Sequence, residues 1–215
     1  MTGATPTLSN QLDRSWAEVL TPGLHRLVAD FEVLRFNVRG AMWNGWGEHY
    51  SAMLDSLPAF RNHAEEAVDA LAKRIRCLEG RPPSTMEEMM ALATLKPHDG
   101  TFHHRACMRM LSESLTHLLK QERELLTTAQ HAGDEVTAQC IAQFMQFQEE
   151  SLWLLRTSLR RSAFESEYFP QGGDWPSALD HQLACMLHAF GQLEHEIVRA
   201  IGRTIPIPFI GISIR

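Results

Sequence analysis

The chain has 215 residues, 44% hydrophobic and 21% charged, a composition typical of a soluble globular protein with one sizeable core. The net charge of −6, and an amino-terminal arm with one arginine and no lysine, disfavour DNA or another polyanion as a partner. The sequence shows neither a signal peptide nor an apolar run long enough to cross a membrane, so we expect a cytoplasmic protein without membrane contact.

The first long helix is predicted to begin at Pro22, where apolar residues start to recur at helical spacing. Before it, residues 1–21 are predicted to form an arm, with a short lead-in helix in SWAEVL that ends at Thr21-Pro22-Gly23. Gly40 is expected to end the long helix, and a loop rich in Gly and Trp follows. The apolar positions of the helix are Leu24, Leu27, Val28, Phe31, Leu34 and Val38.

Three further long helices are predicted at residues 58–78, at 102–131, and from the turn AGDE to about residue 160, with Asp134 as an N-cap. A short helix is predicted between the first two of these, because Ser84 and Glu87 have the spacing of a capping box. The predicted fold is therefore all-α, a four-helix bundle over residues 22–162 with a short helix in the long connection.

The last 53 residues are predicted to add two segments to the bundle. Residues 163–203 are interpreted as a linker followed by an additional C-terminal helix at about 176–202. Residues 204–215 form an apolar tail whose two prolines prevent it from continuing that helix.

Three segments carry a resemblance to a known family. They are FNVRG at the end of the first helix, AKRIRCLEGRPPSTMEEMMALATL around the second, and AGDEVTAQCIAQFMQFQEESLWLLRTSL at the fourth. In order and spacing they resemble the Dps proteins, the mini-ferritins of the ferritin-like superfamily, across roughly residues 22–160. The resemblance does not extend to the predicted fifth helix or the tail.

The resemblance implies a hollow shell of twelve identical subunits that oxidises ferrous iron with peroxide and stores ferric mineral. Many family members also coat DNA. The family's ferroxidase centre lies between two subunits. One subunit supplies two histidines and an aspartate, and its partner supplies an aspartate and a glutamate.

Carried onto this sequence, the centre loses two of its expected ligands. Arg35 stands at the position of the first histidine, and a guanidinium has no lone pair to offer a metal. Asp69 matches the partner's aspartate, but Lys73 stands where the glutamate is expected. His49 and Asp55 are the candidates for the two remaining ligands, in a stretch about seven residues longer than the family pattern. We therefore expect a degraded centre with Arg35 and Lys73 at the subunit interface, Arg35 pairing with the partner subunit's Asp69.

Other residues offer a relocated metal site. His63 and Glu66 lie three apart on the second long helix, and Glu122 interrupts the apolar row of the third. Because a buried carboxylate needs a partner or a metal, a site within one bundle is conceivable. The alternative is that Glu32 pairs with Arg35 and that the other carboxylates meet solvent or basic residues.

The predicted fifth helix carries His181, Cys185 and His188 on one face, a set suited to a soft or borderline metal. A solvated or subunit-facing row of histidines is the alternative. The apolar tail resembles the cargo-loading peptides that direct enzymes into encapsulin shells, and docking onto its own shell is the alternative.

We therefore expect a Dps-like protein of iron handling and oxidative-stress protection, with its ferroxidase centre degraded or relocated. The alternative is a non-catalytic shell or interaction protein, such as an encapsulated cargo, that uses the fifth helix and the tail for partner contacts.

Overall fold

The computed structural model describes residues 8–10, 12–100 and 102–168, with side chains described through residue 160. Within these ranges the regular structure is helical, apart from isolated bridge residues such as Trp46 and His103, which pair with each other. The helices are α1 (Arg14–Asn44), α2 (Tyr50–Leu54), α3 (Leu57–Cys77), α4 (Met86–Leu92), α5 (His104–His131) and α6 (Glu135–Tyr168).

The four long helices α1, α3, α5 and α6 form the predicted bundle, so the all-α prediction is confirmed for the described residues. α1 packs against α3 and α5, and α6 packs against α5 and α3. Their apolar faces meet in one core, in which Phe31, Phe60 and Leu115 are among the fully buried side chains. None of the helices in the described ranges combines the length and the apolar character needed to span a bilayer.

The prediction that the chain breaks at Pro22 was wrong, because α1 runs through Pro22 without interruption. A proline inside a helix costs about 3 kcal/mol, since it removes a backbone hydrogen bond and crowds the preceding turn. Leu20 and Leu24 are completely buried on either side of it, and burying each contributes roughly 1.5–3 kcal/mol. The packing of this face therefore outweighs the local cost, and residues 14–21 of the predicted arm belong to α1.

Gly40 does not end α1, which continues to Asn44. The glycine is needed for packing, because a Cβ atom there would lie 2.8 Å from Cζ of Phe102, just before α5. Gly23 has the same role at the other end of the α1–α5 contact, where a Cβ would lie 2.6 Å from Cδ1 of Leu125. Both glycines allow α5 to approach α1 closely.

The loop after α1 contains a short helix, α2, that was not predicted. Tyr50 at its start donates its hydroxyl toward the carbonyls of Ala41 and Met42, at 3.0 and 2.9 Å, and so caps the end of α1. Trp46 joins the loop to the start of α5, because its N–H donates to Phe102 O and its carbonyl accepts from His104 N.

The capping box of the short connecting helix lies one residue later than predicted. Thr85 caps α4, with its hydroxyl accepting from the N–H of Glu88, and the Glu88 carboxylate accepts from the N–H groups of Ser84 and Thr85. The N-cap role predicted for Asp134 is confirmed, since its carboxylate accepts from the N–H of Thr137. α6 continues to Tyr168, beyond its predicted end near residue 160.

Two polar residues of α1 hold the connection between α3 and α5 on the bundle. Asp30 is completely buried and accepts hydrogen bonds from the N–H groups of Thr94 and Leu95, at 2.6 Å each. Asn37, the asparagine of the FNVRG motif, donates to Lys96 O and accepts from His98 N. The motif therefore serves the fold through Asn37 and Gly40.

Candidate metal centre

Arg35 lies on α1 with a carboxylate partner from its own helix and another from α3. Its Nε donates to Glu32 Oε2 at 2.9 Å, and one terminal nitrogen makes a second, shorter hydrogen bond to Glu32 Oε1. The other terminal nitrogen lies 3.6 Å from Glu65 Oε1 on α3. The expectation that Glu32 pairs with Arg35 is therefore confirmed.

The charge on Arg35 is stabilised by this arrangement. The hydrogen bond that Arg35 donates to Glu32 is the largest influence and raises the pKa of the guanidinium. Burial acts in the opposite direction, and the charges of Glu65 and Asp69 raise the pKa further. Arg35 thus remains a cation with no lone pair, at the position where the resemblance places an imidazole ligand.

The two side chains that the resemblance places on α3 for the centre face outward, and so does Glu66 of the predicted relocated site. Asp69, Lys73 and Glu66 are exposed along this helix. Asp69 is close enough to Arg35 of its own chain to act on its charge. Because Arg35 already has Glu32 and Glu65 as partners within one chain, it does not require the partner subunit's Asp69 for neutralisation. The predicted pair between subunits stays a prediction.

His49 and Asp55, the candidates from the lengthened loop, flank α2. His49 is the residue before this helix and Asp55 the residue after it, and both are exposed. The His49 ring lies edge-on to His104, with ring centroids 5.3 Å apart, and His104 stacks at a tilt on His103 at 4.2 Å. The loop therefore brings three imidazoles together at the start of α5, an association that the sequence analysis missed.

His104 is buried in this imidazole group, and its Nδ1 has no hydrogen-bond partner in the part of the chain that the structure describes. Burial, followed by the charges of His103 and His49, lowers the pKa of His104 to about 4. A neutral imidazole is therefore the stable form of His104 at neutral pH. The adjacent histidines in the sequence gave a signal for a structured helix start, but not for the contact with His49.

His63 and Glu66 do not act as a pair, because one is buried and the other is exposed. The His63 ring stacks on Phe147, with centroids 4.4 Å apart, and meets the edges of Phe31 and Phe144. Burial in this aromatic surrounding lowers the pKa of His63 to about 4. The ring therefore serves as a neutral part of the bundle core.

Glu122, whose position in an apolar row suggested a relocated metal site, is paired with an amide. Gln148 on α6 donates from Nε2 to Glu122 Oε1 at 2.8 Å, and both side chains are buried. The sequence alone could not reveal this partner, since the pairing depends on the register in which α5 packs against α6.

Over residues 8–10, 12–100 and 102–168, no three His, Cys, Asp or Glu side chains are arranged so that they could hold a metal ion within one chain. His181, Cys185 and His188 lie outside the described residues. Cys77, Cys107 and Cys140 are free thiols, and burial raises the pKa of Cys107 to about 11, so that this thiol is unreactive.

Comparison with known proteins identifies the family to which this bundle is similar. The family model described as a ferritin-like domain matches residues 24–163. The DNA protection during starvation protein of Porphyromonas gingivalis is 28% identical over 133 residues, which cover 62% of this chain and 84% of that protein.

Solved structures agree with this match. The crystal structure of the Dps protein from Vibrio cholerae O1, described as a member of the ferritin-like diiron-carboxylate superfamily, has a TM-score of 0.70 and 28% identity, and the match covers 74% of this chain and 99% of that one. A dodecameric thioferritin from Bacteroides fragilis has the same fold, with a TM-score of 0.66 at 17% identity over 71% of this chain and 91% of that one.

The chain therefore belongs to the ferritin-like family. Within it, the protein is a Dps-type mini-ferritin.

Proposed function

We propose that this mini-ferritin forms a hollow shell of identical subunits that handles iron in protection against oxidative stress, and that the family's ferroxidase centre between subunits is degraded or relocated. The observation that carries this proposal is the pairing of Arg35 with Glu32 and Glu65. The relatives support the iron chemistry, because the similar Vibrio cholerae protein belongs to the diiron-carboxylate superfamily.

Arg35 occupies a position where the resemblance expects a metal ligand. Iron binding by a site of this kind needs lone pairs and net negative charge. Arg35 supplies neither, and it takes up the carboxylate of Glu32 in two hydrogen bonds. Lys73, exposed on α3, brings a second cation where the resemblance expects a carboxylate. Asp69 alone keeps the expected ligand type without ambiguity of alignment.

Assembly into a shell is supported by apolar side chains on the outside of α1. Phe36 and Trp43, seven residues apart and so on one side of the helix, are 58% and 71% exposed in the single chain. Arg39 lies over the Trp43 ring between them, at 5.8 Å. A second copy of the chain would cover this stripe. Light scattering should show that Phe36→Asp lowers the molar mass of the assembly. Val19→Asp, near the start of α1, should leave the molar mass unchanged.

The decisive experiment is a titration of the anaerobic protein with ferrous iron, followed by peroxide. We expect no fast, stoichiometric oxidation, and little difference between the wild type and Asp69→Ala. Glu113→Ala, on the outside of α5, serves as a surface control. Fast stoichiometric oxidation that Asp69→Ala abolishes would show that the centre works and would overturn the proposal of its loss.

The alternative function is a non-catalytic shell or an interaction protein. The exposed stripe and the predicted tail favour this reading, because both offer contacts that need no metal. Iron content after aerobic loading separates the two functions: a ferric mineral core supports iron handling, and an empty assembly supports the alternative. Deletion of residues 204–215 should alter partner capture, but not the bundle, if the tail docks elsewhere.

We propose further that the protein acts in the cytoplasm and does not coat DNA. The free thiols of Cys77, Cys107 and Cys140 fit a reducing compartment. The net charge of −6 opposes binding to phosphates. A gel-shift assay at low salt tests the second statement, and retarded DNA would contradict it.

A further inference from the structure

Glu122 of α5 and Gln148 of α6 face each other inside the bundle. Their relative exposures are 1% and 0%, so neither side chain reaches water to satisfy its polar atoms. One hydrogen bond joins them, from Gln148 Nε2 to Glu122 Oε1 at 2.8 Å. This pair is not used by the proposed iron chemistry.

Two oxygen atoms of the pair have no hydrogen-bond partner among the described residues. They are Glu122 Oε2 and Gln148 Oε1, and both are buried. If Glu122 were ionised, both of these atoms would be acceptors, and no donor would lie between them. A buried acceptor without a donor destabilises the fold, and more strongly when it carries charge.

A single proton on Glu122 Oε2 removes this difficulty. A protonated carboxyl has an O–H that can donate to Gln148 Oε1, while the Gln148 amide continues to donate to Glu122 Oε1. The acid and the amide then form a closed ring with two hydrogen bonds. The two oxygens could also bind a metal cation. Among the described residues, however, no group of three His, Cys, Asp or Glu side chains forms such a site.

We propose that Glu122 is held as a neutral carboxylic acid in a closed ring with Gln148, and that losing its proton loosens the contact between α5 and α6.

The charges around the pair support this assignment. Burial is the largest influence and raises the pKa of Glu122 to about 7, against a lowering by the Gln148 hydrogen bond and the Arg123 charge. Glu149 raises the pKa of Glu122 further. Arg123 and Glu149 are exposed on the same two helices and pair with each other, so they largely offset one another. These are the charged groups acting on Glu122 in the described part of the chain.

Infrared difference spectroscopy of the full-length, assembled protein tests the protonation state. We expect a carbonyl band of a buried protonated carboxyl near pH 6 that disappears with a midpoint close to pH 7, and that is absent from Glu122→Gln. This variant preserves the ring, since two amides can form the same pair of hydrogen bonds, and so it should fold and assemble. Glu149→Gln is the control, and the band of the protonated Glu122 carboxyl near pH 6 should remain in this variant.

A second variant distinguishes the ring from a hydrated carboxylate. Gln148→Leu removes both hydrogen bonds of the ring while leaving the buried carboxyl in place, so the carbonyl band of the acid at pH 6 should shift to higher frequency, as expected for a carboxyl group without hydrogen bonds. Backbone hydrogen exchange in α5 and α6, corrected for its intrinsic pH dependence, should accelerate at least tenfold from pH 6 to pH 8 in the wild type and not in Glu122→Gln.

Three results would overturn the proposal. The first is a carboxylate band already present at pH 6 in the wild type. The second is a carbonyl band at pH 6 whose frequency Gln148→Leu leaves unchanged. The third is loss of the acid band at pH 6 on addition of stoichiometric ferrous iron or zinc, which would show that the two oxygens hold a metal.

Discussion

Arg35 and Glu32 are joined by two hydrogen bonds within one turn of α1, so an ion pair inside a single chain occupies the position of an expected metal ligand. This ion pair changes the role that is inferred for Arg35. It is not an isolated cation that needs a partner subunit. It has a carboxylate of its own, and Glu65 on α3 adds a second.

Restoring the ligand types should restore metal affinity. We predict that the double variant Arg35→His/Lys73→Glu binds ferrous iron at least tenfold more tightly than the wild type, because it replaces two cations by an imidazole and a carboxylate and releases Glu32. Anaerobic calorimetric titration measures this. Arg35→Gln/Lys73→Gln removes the same charges without adding ligands, and equal affinity in the two double variants would contradict the prediction.

The buried Asp30 is predicted to be essential for holding the connection between α3 and α5. Asp30→Ala leaves the N–H groups of Thr94 and Leu95 without their acceptor and should cost about 3 kcal/mol. Limited proteolysis should then cut near residue 95, and urea denaturation should show the loss. Glu113→Ala, an exposed substitution on α5, should change the stability by less than about 0.5 kcal/mol. Equal stability of the two variants would refute the role of Asp30.

Arg74 and Asp134 are predicted to be the strongest ionic link between α3 and α6. One terminal nitrogen of Arg74 lies 2.8 Å from both carboxylate oxygens, and the two side chains are only 10% and 3% exposed. Arg74→Leu leaves Asp134 buried without its counter-ion and should cost about 3 kcal/mol in urea denaturation. Arg123→Leu removes an exposed pair instead and should cost less than about 1 kcal/mol.

The acid sensitivity of the fold is predicted to depend on His63. Burial lowers the pKa of its imidazole to about 4, whereas the unfolded chain titrates near 6.5. Between these values the unfolded state binds the extra proton, so the free energy of unfolding falls as the pH decreases, by roughly 3 kcal/mol in all. The stability of the wild type should therefore decline from pH 6.5 to pH 4.

His63→Phe keeps an aromatic ring among Phe31, Phe144 and Phe147 and removes the titrating group. Thermal unfolding at matched pH values should show a smaller decline for this variant than for the wild type. His104 contributes to the decline in the same direction, so the comparison is made between the two proteins at each pH. Parallel curves would contradict the assignment to His63.

The sequence was sufficient for the bundle because helical spacing of apolar residues reports directly which face is buried. It failed at Pro22 and Gly40, where a local helix-breaking tendency is overruled by contacts with residues far along the chain. The capping box lies one residue later than predicted because Ser84 and Thr85 can both act as N-caps. Only the path of the chain selects between them.

The candidate site was less accessible to sequence reasoning. The pairing of Glu32 with Arg35 follows from their spacing of three residues on one helix. The pairing of Glu122 with Gln148, and the contact of His49 with His104, depend on the register of packed helices and on a loop that returns to α5. Neither relationship leaves a pattern in the linear sequence.

Asp30, Asn37 and Gly40 make α1 the helix to which both the connecting segment and α5 are fastened. A helix with such attachments cannot open alone, because each local opening would release the connecting segment as well. The amides at the middle of α1 should therefore exchange with deuterium only when the whole subunit unfolds, while those of α2 and α4 exchange through smaller, earlier fluctuations. The contacts of α1 thus determine the order in which the parts of the protein unfold.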